Sequence, residues 1–265
     1  MKLTIIGCSG SMSGPEGAAS AYLLQALGTD PNTGNPRTFS IVLDFGPGAM
    51  GQLMRYMDPA ELDAMVLSHL HADHVVDIVG MHVYRRWFPT GPCSRIPVYS
   101  PEDGLKRTRE ISGDPMEETY ANEFDFVTIA PGDSVTVGPM TLEFFQAEHP
   151  VPAVGIRVTG PSDVTGGAAT FYYTGDTDFT QTQVDGSRGV DVLLSEAAFE
   201  SGRDSVRGIH MDGIRAGEMA AQAGVGKLLL THLQPWTSPE KNESDAAIAF
   251  SGPVEAVKPG ASYTF

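Results

Sequence analysis

The chain has 265 residues, 41% of them apolar, with 30 Gly, 19 Pro and a formal net charge of −16. That length and apolar share suit a single layered α/β domain over residues 1–265. No apolar run reaches the 18 or so residues of a membrane helix, and so acidic a balance argues against long stretches of duplex nucleic acid as a partner, since binding them needs a basic footprint.

Cys8 and Cys93 set no disulfide framework, and the first apolar run, Leu3–Ile6, is too short for a signal peptide. The expected location is cytoplasmic. Leu3–Ile6 reads as a strand, Ala19–Leu27 as a strand or turn, and the polar Gly28–Arg37 as a hairpin connection to the buried-strand pattern Phe39–Phe45. Ala49–Met57 has helical spacing and stops at Asp58-Pro59. Ala64–Ser68 is a strand, Val75–Trp87 a helix, Arg95–Ser100 a strand and Glu102–Ile111 a helix. Phe124–Ala130, Ser134–Val137 and Met140–Ala147 form a strand group, and Ala153–Thr159 with Thr170–Thr174 a hairpin. Val190–Leu194 and Lys227–Thr231 are apolar strands flanking a helix from Asp212 to Ala223, with Asp as cap and Gly224 as stop. Ser238-Pro239 opens a last helix to about Phe250, and Ala261–Phe265 is a short final strand. Strands followed by helices recur in the two halves, which points to two sheets packed face to face with helices outside. The basic pairs Arg85-Arg86 and Lys106-Arg107, with Arg109, read as solvated positions or local ion pairs.

Directly after Ala64–Leu67 comes His69-Leu70-His71-Ala72-Asp73-His74, three of the chain's seven histidines and an aspartate in six residues. On this composition the spacing arises by chance in roughly one such sequence in a few thousand. Histidine and carboxylate are the usual ligands of Zn²⁺ and similar ions. His69 and His71, two apart at a strand end, project to one side. Asp73 and His74 follow on the turn into a helix and point to a neighbouring position, which suggests two metals in one pocket. More ligands are needed, and His149, Asp176 and His232 each stand where a predicted strand gives way to a loop. His82 falls inside a predicted helix and reads as an ordinary structural histidine.

Taken in order, HLHADH, EHPVPAVGIRV, YTGDT and LLLTHLQP resemble the metallo-β-lactamase fold superfamily across nearly the whole chain. The resemblance implies an α/β fold, an αββα four-layer sandwich of two mixed sheets, with a two-metal site at one edge. It implies one divalent ion on His69, His71 and His149 and a second on Asp73, His74 and His232, with Asp176 bridging. Zinc is the expected metal, with manganese or iron as alternatives. It also implies a shared hydroxide between ions about 3.5–4 Å apart, the arrangement of metal-assisted hydrolysis.

Fold does not settle the substrate. VDVLLSEAA and IHMDGIRAGEMAAQAG resemble motifs of ribonuclease Z, which would make His210 the group that contacts the scissile phosphate or protonates the leaving oxygen, oriented by Glu196. Asp44 matches as well and would hold a ligand histidine from behind. Ser195 and Gly46-Pro47-Gly48 depart from that family, and only 27 positions separate His149 from Asp176, where ribonuclease Z inserts a basic arm for transfer RNA. GCSGS, LDFGPG, SHLHADH and THLQPWTS resemble more fully the small bacterial cyclic-nucleotide phosphodiesterases of this fold, the atypical class II. The expectation is a phosphodiesterase cleaving a small anionic diester, 3′,5′-cyclic nucleotides foremost, by in-line attack of the bridging hydroxide with Asp73 orienting it. Three readings stay open beside it: a ribonuclease Z-like RNA-processing nuclease, a lactone, lactam or thioester hydrolase, and a metal-binding regulator without turnover. A homodimer through Met50–Met57 or Val83–Phe88 is possible on exposed apolar residues.

Overall fold

A computed structural model describes all residues from Met1 to Phe265. The first half supplies β1 (Lys2–Gly7), β2 (Ala21–Thr29), β3 (Pro36–Leu43), β4 (Ala64–Val66), β5 (Ile96–Ser100) and β6 (Phe124–Thr128). The second supplies β7 (Ser134–Val137), β8 (Met140–Gln146), β9 (Val154–Pro161), β10 (Ala168–Tyr173), β11 (Val192–Glu196), β12 (Lys227–Thr231), β13 (Val254–Ala256) and β14 (Ser262–Thr264). One sheet runs β14-β1-β2-β3-β4-β5-β6 and the other β13-β12-β11-β10-β9-β8-β7. Within each, three antiparallel pairings give way to three parallel ones. The repeat of strands and then helices therefore has its counterpart in pairing, with β14 returning to close the first sheet.

Leu3, Ile5, Leu24 and Ile41 of one sheet meet Leu142, Phe144, Ile156 and Phe171 of the other in a fully apolar layer. Burying each such side chain contributes about 1.5–3 kcal/mol. The outer face of the first sheet is covered by α1 (Ala49–Leu53), α2 (Ala72–Val75) and α3 (Ile78–Arg86), with α4 (Gly104–Ser112) beside β5 and β6. That of the second is covered by α5 (Gln181–Gly186), α6 (Gly213–Ala223) and α7 (Pro239–Ala249). The result is the expected αββα sandwich. The helix signals act as anticipated: Asp212 accepts the Arg215 N–H, Gly224 takes the left-handed stop, and Ser238 accepts the Lys241 N–H ahead of Pro239.

Three expectations need correction. Val75–Trp87 is broken at Val76-Asp77, because the Asp77 carboxylate accepts the Met50 N–H at 2.8 Å and the Asp77 N–H donates to the Phe45 carbonyl at 3.1 Å. Those bonds dock the chain on the turn after β3 and cost it the helical ladder. Helix α5, capped by Thr180, and the short β13 were not expected. Arg85 is not solvated: it is wholly buried and donates to the carbonyls of Pro59 and Ser94, whereas Arg86 does form an ion pair, with Glu118 and Glu123. Arg107 and Arg109 likewise donate to backbone, the Leu70 and Glu118 carbonyls. No helix is long and apolar enough to cross a membrane.

Candidate metal centre

Strands β8, β10, β11 and β12 run in one sense, so the residues that follow them gather on one edge of the second sheet, the usual place for ligand sites in such sheets. His149 follows β8, Asp176 follows β10, Glu196 ends β11 and His232 follows β12. The first sheet sends the motif after β4 to the same edge. Two glycines allow the approach. A Cβ on Gly46 would lie 1.9 Å from the Asp73 carbonyl oxygen, and one on Gly175, at φ +58°, would lie 2.7 Å from Ser68 Cβ. The Val154 N–H donates to the Ser68 carbonyl at 2.9 Å, which joins the two sheets beside the site.

Two sets of ligand atoms result. His69, His71 and His149 form one; Asp73, His74, Asp176 and His232 form the other. In the first, His71 Nδ1 lies 3.1 Å from His69 Nε2 and 3.1 Å from His149 Nε2. That is close to the ligand edge of about 3.3 Å expected for a tetrahedral zinc with bonds near 2.05 Å. In the second, His74 Nε2 lies 3.3 Å from Asp73 Oδ2 and 3.3 Å from Asp176 Oδ1, and His232 Nε2 lies 3.5 Å from Asp176 Oδ2. Asp176 Oδ2 also stands 3.8 Å from His69 Nε2, so this carboxylate faces both sets.

The tautomers can be assigned from partners. His149 Nδ1 faces the Ile209 carbonyl at 2.9 Å, which can only accept. His74 Nδ1 faces Asp44 Oδ2 at 2.7 Å. Ser68 Oγ donates to Asp44 Oδ2 at 2.8 Å and so accepts from His69 Nδ1 at 3.0 Å. In each ring the far nitrogen carries the proton and Nε2 turns a lone pair inward. His232 Nδ1 is held by Ser20 Oγ at 2.8 Å. Buried inside the site, His74 Nε2, Asp176 Oδ1 and His232 Nε2 have no hydrogen-bond partner. Orphaned polar atoms of that kind cost about 1–3 kcal/mol each, and a divalent cation satisfies all three. The donor set fits two such ions.

Charge placement agrees. Burial pushes His69 well below the usual histidine range and lowers His232. Burial also opposes charge on His74, but Asp176 and Asp44 outweigh it and hold the imidazole well above the ordinary value; His232 and His74 in turn outweigh burial at Asp176 and hold it well below. The pocket thus selects positive charge at His74 Nε2. Asp44 at φ +56° and His232 at φ +57° sit in the left-handed region, strain of the kind that collects at functional sites.

Beside both sets, His210 Nδ1 lies 2.9 Å from Glu196 Oε1. Glu196 is fixed at both oxygens, accepting the Thr177 and Ala198 N–H groups at 3.0 Å each. Burial lowers the His210 imidazole, yet Glu196 and Asp176 raise it to about 9. Its Nε2 has no protein partner and is not sealed from solvent. Every residue singled out from the sequence is therefore gathered here, Asp44 included. His82 is elsewhere, against Tyr120 and 3.6 Å from Glu123. Ser20, Ser68, Tyr173 and the Ile209 carbonyl, which orient the ligands, were not anticipated.

Residues 40–233 match the family described as the Beta-lactamase superfamily domain. The chain is 40% identical to the uncharacterized protein Rv1339 of Mycobacterium tuberculosis, over 97% of this chain and 89% of that one. It is 29% identical to the probable metallo-hydrolase YhfI of Bacillus subtilis, over 98% of each. The crystal structure of YhfI, a metallo-beta-lactamase fold protein, matches at a TM-score of 0.84 over 100% of this chain and 99% of that one, at 28% identity. Ribonuclease Z of Methanopyrus kandleri is 25% identical over 94% and 92%. With its fold, its ligand sets and these likenesses, the chain belongs to the metallo-β-lactamase fold superfamily, among metallo-hydrolases with ribonuclease Z-like relatives.

Proposed function

We propose that the protein is a dinuclear-metal-dependent phosphodiesterase that hydrolyses small phosphodiesters, with 3′,5′-cyclic nucleotides as substrate. The observation that carries the reading is the His210–Glu196 pair set beside seven convergent ligand atoms. Hydrolysis of a phosphodiester expels an alkoxide, which needs a proton, and a histidine held by a buried carboxylate with Nε2 free can deliver one. Opening a lactone or lactam also releases a group that takes a proton, so the pair supports leaving-group acid catalysis, and the choice of a phosphodiester rests on the kinship with ribonuclease Z.

The ligand roles are part of the proposal: His69, His71 and His149 for one ion, Asp73, His74 and His232 for the other, Asp176 between them. Bound divalent ions supply Lewis acidity toward the phosphate and lower the pKa of water. Asp73, on the rim with its carboxylate 16% exposed, orients the attacking water. Burial raises its carboxyl, but His74 and His232 overcome this and keep it ionised as an acceptor. Glu196 holds His210 in place, and His210 passes its proton to the departing 3′-oxygen.

The kinship with ribonuclease Z supports phosphodiester chemistry. The RNA-processing alternative is opposed by the short hairpin between β9 and β10, whose loop has no lysine or arginine, and by the net charge of −16. Purified protein loaded with Zn²⁺ or Mn²⁺ should cleave cyclic AMP or cyclic GMP with two ions bound per chain. Cleavage of a generic diester with both cyclic nucleotides left intact would refute the substrate; accurate cleavage of a precursor transfer RNA would favour the nuclease.

A further inference from the structure

Next to His71 a cleft of about 370 Å³ opens between α4 and the loop carrying Val151. Leu70 and His71 line its inner end, so the space continues directly from the first ligand set. A volume at the small end of ligand pockets holds one small molecule and not a polymer.

The cleft's charges are specific. Glu102, Asp103 and Glu110 face Lys106 and Arg107, three carboxylates to two cations. Arg107 is fixed in place: its Nε donates to the Leu70 carbonyl at 2.9 Å and its Nη1 to Glu110 Oε2 at 3.3 Å. Asp103 is committed to capping α4, accepting the Lys106 N–H at 2.9 Å. Glu102 lies on the exposed side, where its carboxylate can accept hydrogen bonds. An acidic majority repels a second phosphate. It suits a neutral, flat group rich in donors, because a guanidinium plane stacks on aromatic rings and carboxylates accept from amino and hydroxyl groups.

We propose that this cleft is a nucleoside subsite in which the base lies on Arg107, so that the substrate carries one phosphate, at the ligand sets, and one nucleoside. The inference rests on the phosphodiesterase reading and adds to it the place where the nucleoside of a cyclic mononucleotide is held, a place too small for an oligonucleotide and too acidic for a pyrophosphate-linked dinucleotide.

The test combines binding without metal and turnover with it. Saturation-transfer NMR on metal-free protein should show adenosine base protons in contact, with the effect reduced at least fivefold in Arg107→Ala and unchanged in Arg188→Ala, a remote control. With metal bound, and rates taken per bound ion, Arg107→Ala should raise KM for the cyclic nucleotide at least tenfold more than it raises KM for methyl p-nitrophenyl phosphate. Metal content is measured alongside, since Arg107 also tethers Leu70. If Arg107→Ala loses metal, Arg107→Lys decides, as it retains a donor for that carbonyl and no planar face. Adenosine contact that is absent, or equal in wild type and both Arg107 variants, overturns the subsite. Adenosine contact that depends on Arg107, without turnover of any cyclic nucleotide, supports the subsite and refutes the phosphodiesterase reading instead.

Discussion

Asp44→Asn isolates the carboxylate on which both ligand sets depend. Asp44 is fully buried, and its oxygens accept from Ser68 N at 2.7 Å, Ser68 Oγ at 2.8 Å, His74 Nδ1 at 2.7 Å and Tyr173 Oη at 2.6 Å. Three of these converge on Oδ2. An asparagine that places its carbonyl there turns its amide N–H₂ toward the Ser68 N–H, donor against donor. It also weakens three bonds that a charged acceptor had strengthened. Hydrogen bonds to charged groups contribute about 1.5–3 kcal/mol, and a buried donor left unpaired costs about 1–3. Allowing for partial relaxation, the metal-free variant should lose about 2–4 kcal/mol of stability in urea unfolding. Because Asp44 holds His74 directly and His69 through Ser68, metal affinity should fall about 10–100-fold at both positions, read by competition with a chromogenic chelator. Ser68→Ala should weaken the first position more than the second. An Asp44→Asn protein within 0.5 kcal/mol of wild type that still binds both ions normally would refute the reasoning.

His210→Ala should lower kcat by about 10²–10⁴ with two ions still bound, the range of a positioned general acid; Glu196→Gln should do so by about tenfold, since the amide still accepts the Nδ1–H. Measured kcat unchanged in both would refute the general-acid role of the pair. His232→Ala should reduce bound metal from two ions to one per chain by elemental analysis, because the removed Nε2 belongs to only one set. Chelation should lower the melting temperature of the loaded wild-type protein, as expected for a ligand that binds only the folded state. Glu118 offers a pH test away from the site: the Arg86 guanidinium, then the Tyr120 N–H, hold its carboxyl down at about 2. Its contribution is complete above the ordinary glutamate value and is lost as pH falls toward 2. Screened at the surface it amounts to about 1 kcal/mol, so wild type minus Glu118→Gln should shrink by that much between pH 5 and 2 in metal-free urea titrations.

The elements with strong local signals were readable in advance. Caps at Asp212 and Ser238, the hairpin across Gly28–Arg37 and the turns around Pro131-Gly132 act through neighbours in the chain. The break at Val76-Asp77 was not readable, because its cause lies in Met50 and Phe45, more than 20 positions away. Arg85 shows the same limit. Its pattern on the helix is that of any charged residue, and only the carbonyls of Pro59 and Ser94, brought in by two separate loops, make it an interior group.

The site divides along the same line. Its ligands are legible because metal chemistry accepts few residue types and those are scarce here: six of seven histidines lie in it. The groups that orient the ligands are two serines, a tyrosine and a backbone carbonyl, with nothing in their own stretches to mark them. Ser20 reaches His232 across 212 positions and Tyr173 reaches Asp44 across 129. Ile209 acts through a carbonyl every residue has, and its sequence carries no signal for it. What selects these groups is the need of each imidazole to keep its proton on the outer nitrogen, donated in a hydrogen bond, so that Nε2 stays free for metal. An inward lone pair therefore requires an acceptor behind it. His71 differs from His69, His74 and His149, turning Nδ1 inward and leaving Nε2 as its outer atom. No protein group answers that Nε2, so His71 is held through its backbone, with Arg107 on the neighbouring Leu70 carbonyl as the nearest brace. This ligand should thus be the one whose order depends on what fills the adjoining cleft.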